Sequence, residues 1–142
     1  MSMRDFDFVE PASVSEACAL LAEDPEGSAV FAGGTDILVY LKEGAKTHRR
    51  LVALGAIEGL DEISYSADRG LVIGAMATVN QVARHEDVGR HYPGIVDAAL
   101  SLAADQVRNV ATVVGNLCMA VPSADTATRI RPPPAQPRRW LA

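Results

Sequence analysis

The 142-residue sequence is poor in cysteine, in histidine clusters, in long apolar runs and, outside its last residues, in positive charge. Cys18 and Cys118 are two isolated thiols. They are too few for an all-cysteine iron–sulfur cluster, which takes four. A disulfide between them is not expected in a reducing compartment, and Cys18, at helical spacing among apolar residues, is expected to be buried filler. His48, His85 and His91 are scattered in polar surroundings without metal-ligand spacing, so no metal site is expected. No apolar run reaches the ~20 residues that span a bilayer. The N-terminus lacks the apolar core of a signal peptide, which leads to the expectation of a cytoplasmic protein. The net charge is −5, yet Arg129, Arg131, Arg138 and Arg139 carry +4 of it at the C-terminal end. The remaining residues therefore carry −9, since −5 less +4 is −9. An acidic body argues against nucleic-acid binding.

What is present is an ordinary globular composition, 49% hydrophobic and 22% charged, able to bury a core. Phe6-Asp7-Phe8-Val9 alternates and stops at Pro11, which predicts a short strand. Ser13 with Glu16 predicts a capping box ahead of a helix through Val14, Ala17, Cys18 and Leu21. Ala29-Val30-Phe31 predicts a second strand, the run from Ile37 to a stop at Gly44 a second helix, and Leu51-Val52-Ala53-Leu54 a third strand. This order is a small α/β unit. Beyond it, Ile63-Ser64-Tyr65 and Leu71-Val72-Ile73-Gly74 read as a hairpin turning at Asp68-Arg69-Gly70. Thr78 and Gln81 form a further capping box over a short helix. Pro93 opens a longer helix with Ile95, Ala98, Ala99 and Leu102 on one face. From Thr128 the chain turns Arg/Pro-rich, with no period of 2 or 3.6, and is expected to be extended.

Two glycine-bearing segments carry the functional signal. Phe31-Ala32-Gly33-Gly34-Thr35-Asp36 lies between a strand end and a helix start, and Thr112-Val113-Val114-Gly115-Asn116 follows about eighty residues later. Glycine permits positive φ and close approach, and successive N–H groups form an anion nest suited to a diphosphate. The first segment also precedes a helix N-terminus, which favours an anion. Asp36 would repel a phosphate, so it is read as a carboxylate capping the helix start. No pair of residues is placed as acid and base, and no catalytic residue is assigned.

Taken in order, Phe6-Asp7-Phe8-Val9-Glu10-Pro11, Ala32-Gly33-Gly34-Thr35-Asp36-Ile37-Leu38, Val72-Ile73-Gly74-Ala75 with Thr78, Arg108-Asn109-Val110-Ala111-Thr112-Val113-Val114-Gly115-Asn116 and Pro122-Ser123-Ala124-Asp125 resemble the flavin-binding subunit of the molybdenum hydroxylases, the xanthine dehydrogenase and carbon monoxide dehydrogenase medium-subunit family. The resemblance runs over roughly residues 4 to 127. It implies an α/β (α+β) fold of the FAD-binding PCMH type. Two small α/β subdomains, 1–56 and an incomplete 57–127, would be followed by an aberrant tail, 128–142.

The resemblance further implies FAD as cofactor. Ala32, Gly33, Gly34, Thr35, Asp36, Ile37 and Leu38 would surround its diphosphate and Leu102 would meet the flavin. Thr112, Val114, Gly115 and Asn116 would close the clamp, and Asp125 would bond sugar hydroxyls. Molybdopterin and 2Fe–2S centres would lie on a large and a small partner subunit of a heterotrimer. Electrons would pass through this flavin to NAD or another acceptor. An assembly-only fragment or a non-enzymatic nucleotide-binding module are the alternatives. Two departures from the family pattern stand out. Val114 replaces a glycine, which would be strained if that position needs positive φ. The family pattern also stops after Asp125-Thr126-Ala127, so a truncated member with an out-of-frame tail is expected.

Overall fold

The computed structural model describes residues 5–119. The alternating opening forms strand β1 (Asp7–Val9), and helix α1 (Val14–Glu23) follows. The Ser13 hydroxyl accepts from the Glu16 N–H at 3.2 Å. The Glu16 carboxylate reaches back one residue further than a capping box requires and accepts from the Ala12 N–H at 2.8 Å. Strand β2 (Ser28–Phe31), helix α2 (Ile37–Glu43) and strand β3 (Arg50–Ala53) complete the first unit. The sheet order is β1-β3-β2, with both pairings parallel. A central parallel strand must be apolar on both faces, and Leu51 and Val52 are fully buried. Each such side chain contributes about 1.5–3 kcal/mol relative to exposure. Val52 packs with Ala17 and Ile57, flanked by Val9, Leu20 and Leu21. Arg50 ties β3 to the end of α1, donating to the Leu20 carbonyl at 3.2 Å and to Glu23 at 2.9 Å.

Cys18 is exposed rather than buried. Ala17, Leu20 and Leu21 supply the stripe that packs into the core, and Cys18 falls outside it.

After a 3₁₀ turn, Leu54–Ala56, the hairpin forms as β4 (Ile63–Ser66) and β5 (Gly70–Ile73), paired antiparallel with Ile63 opposite Ile73. Helix α3 (Val79–Arg84) starts in a complete capping box: the Thr78 hydroxyl accepts from Gln81 N–H at 3.2 Å, and the Thr78 N–H donates to Gln81 Oε1 at 2.7 Å. Four helices follow: α4 (Glu86–His91), α5 (Pro93–Ser101), α6 (Asp105–Arg108) and α7 (Val113–Met119). Ala77, Val79, Val82, Val88, Ala99, Ala111 and Val113 form one buried cluster. The fold class is α/β, as expected from the sequence. No helix among the described residues is long and apolar enough to cross a membrane.

Candidate cofactor site

The site is built where β2 hands over to α2. Phe31, last in β2, stacks edge-to-face on Phe8 of β1 with ring centroids 5.3 Å apart. Gly34 sits over that ring with φ +75°, and a side chain there would meet Phe31 Cζ at 2.5 Å. Only a residue without Cβ takes this conformation over this floor. Gly33 is pressed from the other side. A Cβ on it would collide with the Val110 carbonyl oxygen and lie 3.0 Å from Ala111 Cα. The first glycine-bearing motif therefore touches the stretch Val110-Ala111 that leads into the second.

The backbone N–H groups of Gly33, Gly34, Thr35 and Asp36 have no acceptor among the described residues, whereas the carbonyls of Gly34 and Asp36 accept from Leu38 and Tyr40. Consecutive open donors in a bend are what an anion nest needs. Because α2 has only seven residues, the loop's own N–H groups carry the attraction. Asp36 departs from expectation. Its side chain makes no capping bond, since its backbone is already helical at φ −97°, ψ −46°, and a capping side chain needs the extended conformation. The carboxylate is exposed and points no hydrogen bond into the loop. Ala32 and Ile37 are half-buried beside it, and Leu38 is exposed at the start of α2.

The second motif is helical rather than a loop. Thr112 is buried and caps α7, its hydroxyl accepting from the Gly115 N–H at 3.1 Å. The Val113 N–H donates to the Ala77 carbonyl at 3.3 Å and the Val79 N–H to Ala111 at 2.9 Å, which zips this segment to the start of α3. Val114 lies in the first turn of α7, and its N–H has no acceptor among the described residues. Among those residues only Ala103 is a non-glycine with positive φ, so the strain expected at Val114 is absent. Gly115 and Asn116 are half-buried further along α7, and Leu102 packs on the α3–α5 cluster. Asp125 lies outside the described residues.

One buried polar network lies outside the sequence motifs. Asn80, 5% exposed, donates to Asp105 Oδ1 at 3.1 Å and to Asn109 Oδ1 at 2.7 Å, and accepts from Arg108 Nε at 3.3 Å. Hydrogen bonding from Asn80, helped by Arg108, holds the Asp105 carboxyl below the usual range. An Asn on the buried face of a capped helix was the available signal, since a buried amide must find partners. A separate open groove of about 650 Å³, lined by Ile63, Asn80, Arg84, His85 and Asn109 among others, contains none of the expected cofactor-binding residues. His48 and His85 are half-buried, not solvated as the sequence suggested, and no cluster of three metal-ligating residues occurs among the described residues.

A loop of open donors, roofed by a second motif, is the arrangement the sequence motifs imply for a dinucleotide diphosphate. Residues 4–131 match the family model described as the FAD binding domain in molybdopterin dehydrogenase. The chain belongs to this family. It is 37% identical over 126 residues to the xanthine dehydrogenase FAD-binding subunit of Escherichia coli O157:H7, covering 87% of this chain and 43% of that protein. It is 36% identical over 115 residues to the aldehyde oxidoreductase FAD-binding subunit PaoB of Escherichia coli K12, covering 81% and 36%. Among solved structures, carbon monoxide dehydrogenase from Hydrogenophaga pseudoflava superposes with a TM-score of 0.78 at 31% identity, covering 82% of this chain and 40% of the other. Quinoline 2-oxidoreductase from Pseudomonas putida 86 gives 0.77 at 32%, with the same coverage. The chain thus spans well under half the length of these FAD-binding-domain relatives.

Proposed function

We propose that this chain supplies the FAD-diphosphate half of a molybdenum hydroxylase flavin site. The observation that supports the reading is the Gly33–Val110 contact, which brings the stretch leading into the second motif against the loop of open donors. Gly33, Gly34, Thr35 and Asp36 bind the diphosphate through backbone N–H groups, joined by the Thr35 hydroxyl, with the Val114 N–H and the Thr112 hydroxyl hydrogen closing from α7. These donors are neutral, so the diphosphate is held by oriented dipoles without an ion pair. Ala32, Ile37 and Leu38 shape the apolar sides, Gly115 and Asn116 extend the clamp along α7, Leu102 meets the flavin and Asp125 the sugar hydroxyls. The Asp36 side chain stays exposed at the rim.

In this reading residues 1–56 and 57–127 act as two subdomains around the cofactor. When bound, the flavin supplies the redox chemistry, and the chain supplies binding and orientation. The assembly is a cytoplasmic heterotrimer with a molybdopterin-binding large subunit and a 2Fe–2S small subunit, relaying electrons to NAD or another acceptor.

Titration of FAD into the purified chain, followed by flavin absorbance and fluorescence, tests the proposal. Saturable binding is expected. Thr35→Val, which keeps the shape and removes one hydroxyl, should weaken it about 5- to 10-fold. A protein that takes up no FAD, or binds ADP and FAD with no preference for the flavin, overturns it.

A further inference from the structure

Arg108 makes more side-chain hydrogen bonds than any flavin-directed role requires, and they converge on one turn. Its Nη1 donates to the carbonyls of Leu100, Leu102 and Ala103 at 3.3, 3.1 and 2.7 Å. Its Nε donates to Asn80 Oδ1 and its Nη2 to Asp105 Oδ1, each at 3.3 Å. The Arg108 side chain is 14% exposed, and its charge is matched by Asp105 and by the carbonyl end of α5. Carbonyls at a helix C-terminus lack intrahelical partners and carry partial negative charge, so a cation there satisfies both needs. The turn it gathers contains Ala103 at φ +46°, a left-handed conformation that is strained for an alanine and persists only where the surroundings enforce it.

The same residue sits at the root of the second motif. The Val110 and Ala111 N–H groups donate to the Val107 carbonyl at 3.1 and 2.8 Å, so the last turn of α6 continues directly into the carbonyl that presses on Gly33. Asn80 joins that turn to α3 through Asp105 and Asn109.

We propose that Arg108 is a positioning residue for the flavin site: it fixes the Leu100-Leu102-Ala103 turn and, through α6, the seating of Val110 on Gly33 before the cofactor arrives. This rests on the reading of the glycine loop as the diphosphate seat. Lysine cannot substitute. Its ammonium has three donors on a compact head, whereas the guanidinium spreads five over a rigid plane that reaches three carbonyls, an amide and a carboxylate together.

The test compares the wild-type chain with Arg108→Lys and Arg108→Ala by amide hydrogen exchange without cofactor, then by FAD titration. In both variants the Ala111, Val79 and Leu38 amides should exchange at least ten times faster, while the β4–β5 hairpin amides keep their rates. FAD affinity should fall at least tenfold, and the flavin absorption band should shift relative to wild type. Lysine should restore little of what alanine loses. Unchanged exchange at Ala111 and Leu38, or equal acceleration in the hairpin, overturns the proposal, the latter by showing a merely global loss of stability. If the wild type takes up no FAD, the flavin reading falls on its own, and the exchange comparison still decides whether Arg108 couples the two motifs. Full recovery of affinity and exchange in Arg108→Lys also overturns it.

Discussion

The Val110 carbonyl oxygen occupies the space that a side chain on Gly33 would need. Glycine at 33 is therefore demanded by the Val110 carbonyl that leads into the second motif, and the glycine at 34 by positive φ over the Phe31 ring. Gly33→Ala should destabilise the protein by about 1–3 kcal/mol, because a backbone carbonyl cannot swing aside as a side chain can. Elsewhere Gly→Ala stabilises by about 0.4–1 kcal/mol through the unfolded chain, so the sign is diagnostic. The urea midpoint should fall; a raised or unchanged midpoint would show that the two motifs do not meet.

Val114→Gly should not improve cofactor binding. The valine sits in α7 with no positive φ to relieve, and glycine inside a helix costs about 1 kcal/mol relative to alanine and a few tenths relative to valine. The expected result is a lower urea midpoint with FAD affinity equal to wild type or weaker. Tighter binding by the variant would restore the strain argument drawn from the sequence alone.

Thr78→Ala removes one half of the capping box that starts α3 beside the second motif. A loss of about 0.5–2 kcal/mol is expected, with Thr78→Ser keeping most of it. Thermal unfolding of the two variants side by side distinguishes cap from packing: if serine loses as much as alanine, the methyl group and not the hydroxyl carries the effect.

Acid should weaken the fold through two carboxylates. Arg49 holds the Asp24 carboxyl below its ordinary value of 3.8, and Asn80 with Arg108 does the same for Asp105. The folded values are the lower ones, so the unfolded chain binds more protons and stability rises with pH across this window. The contribution is complete above the unfolded value and is lost as pH falls through the folded ones. Urea midpoints measured from about pH 5 down to about pH 2 should drop, and Asp105→Asn should flatten part of that slope. An identical slope in the variant would remove Asp105 from the account.

Local signals revealed the first unit because each was written in a short stretch. Pro11, the Ser13 cap, the Gly44 stop and the apolar run ending at Ala53 are boundaries a chain reports without its neighbours. The hairpin and the Thr78 box were legible for the same reason. The second motif was not. Val-Val-Gly-Asn has low helix propensity, and α7 forms there because Thr112 caps it and Ala77 accepts from Val113. Helix α6 has four residues, too few for a periodic signal, and its role depends on Asn80, a residue twenty-five positions away from Asp105. The two loop glycines were recognisable as glycines; that Gly33 answers to Val110 was written only in the tertiary contact.

The central claim is that the open donors at Gly33, Gly34, Thr35 and Asp36 are the diphosphate seat. Amide resonances of the isotope-labelled chain followed during an FAD titration test it most directly. The account predicts that these four N–H signals, with that of Val114, move downfield and exchange more slowly with solvent as they gain phosphate acceptors, while the β4–β5 hairpin signals stay in place. Saturable FAD binding that leaves those five signals unmoved and shifts others, such as those lining the groove at Asn80 and His85, would contradict it.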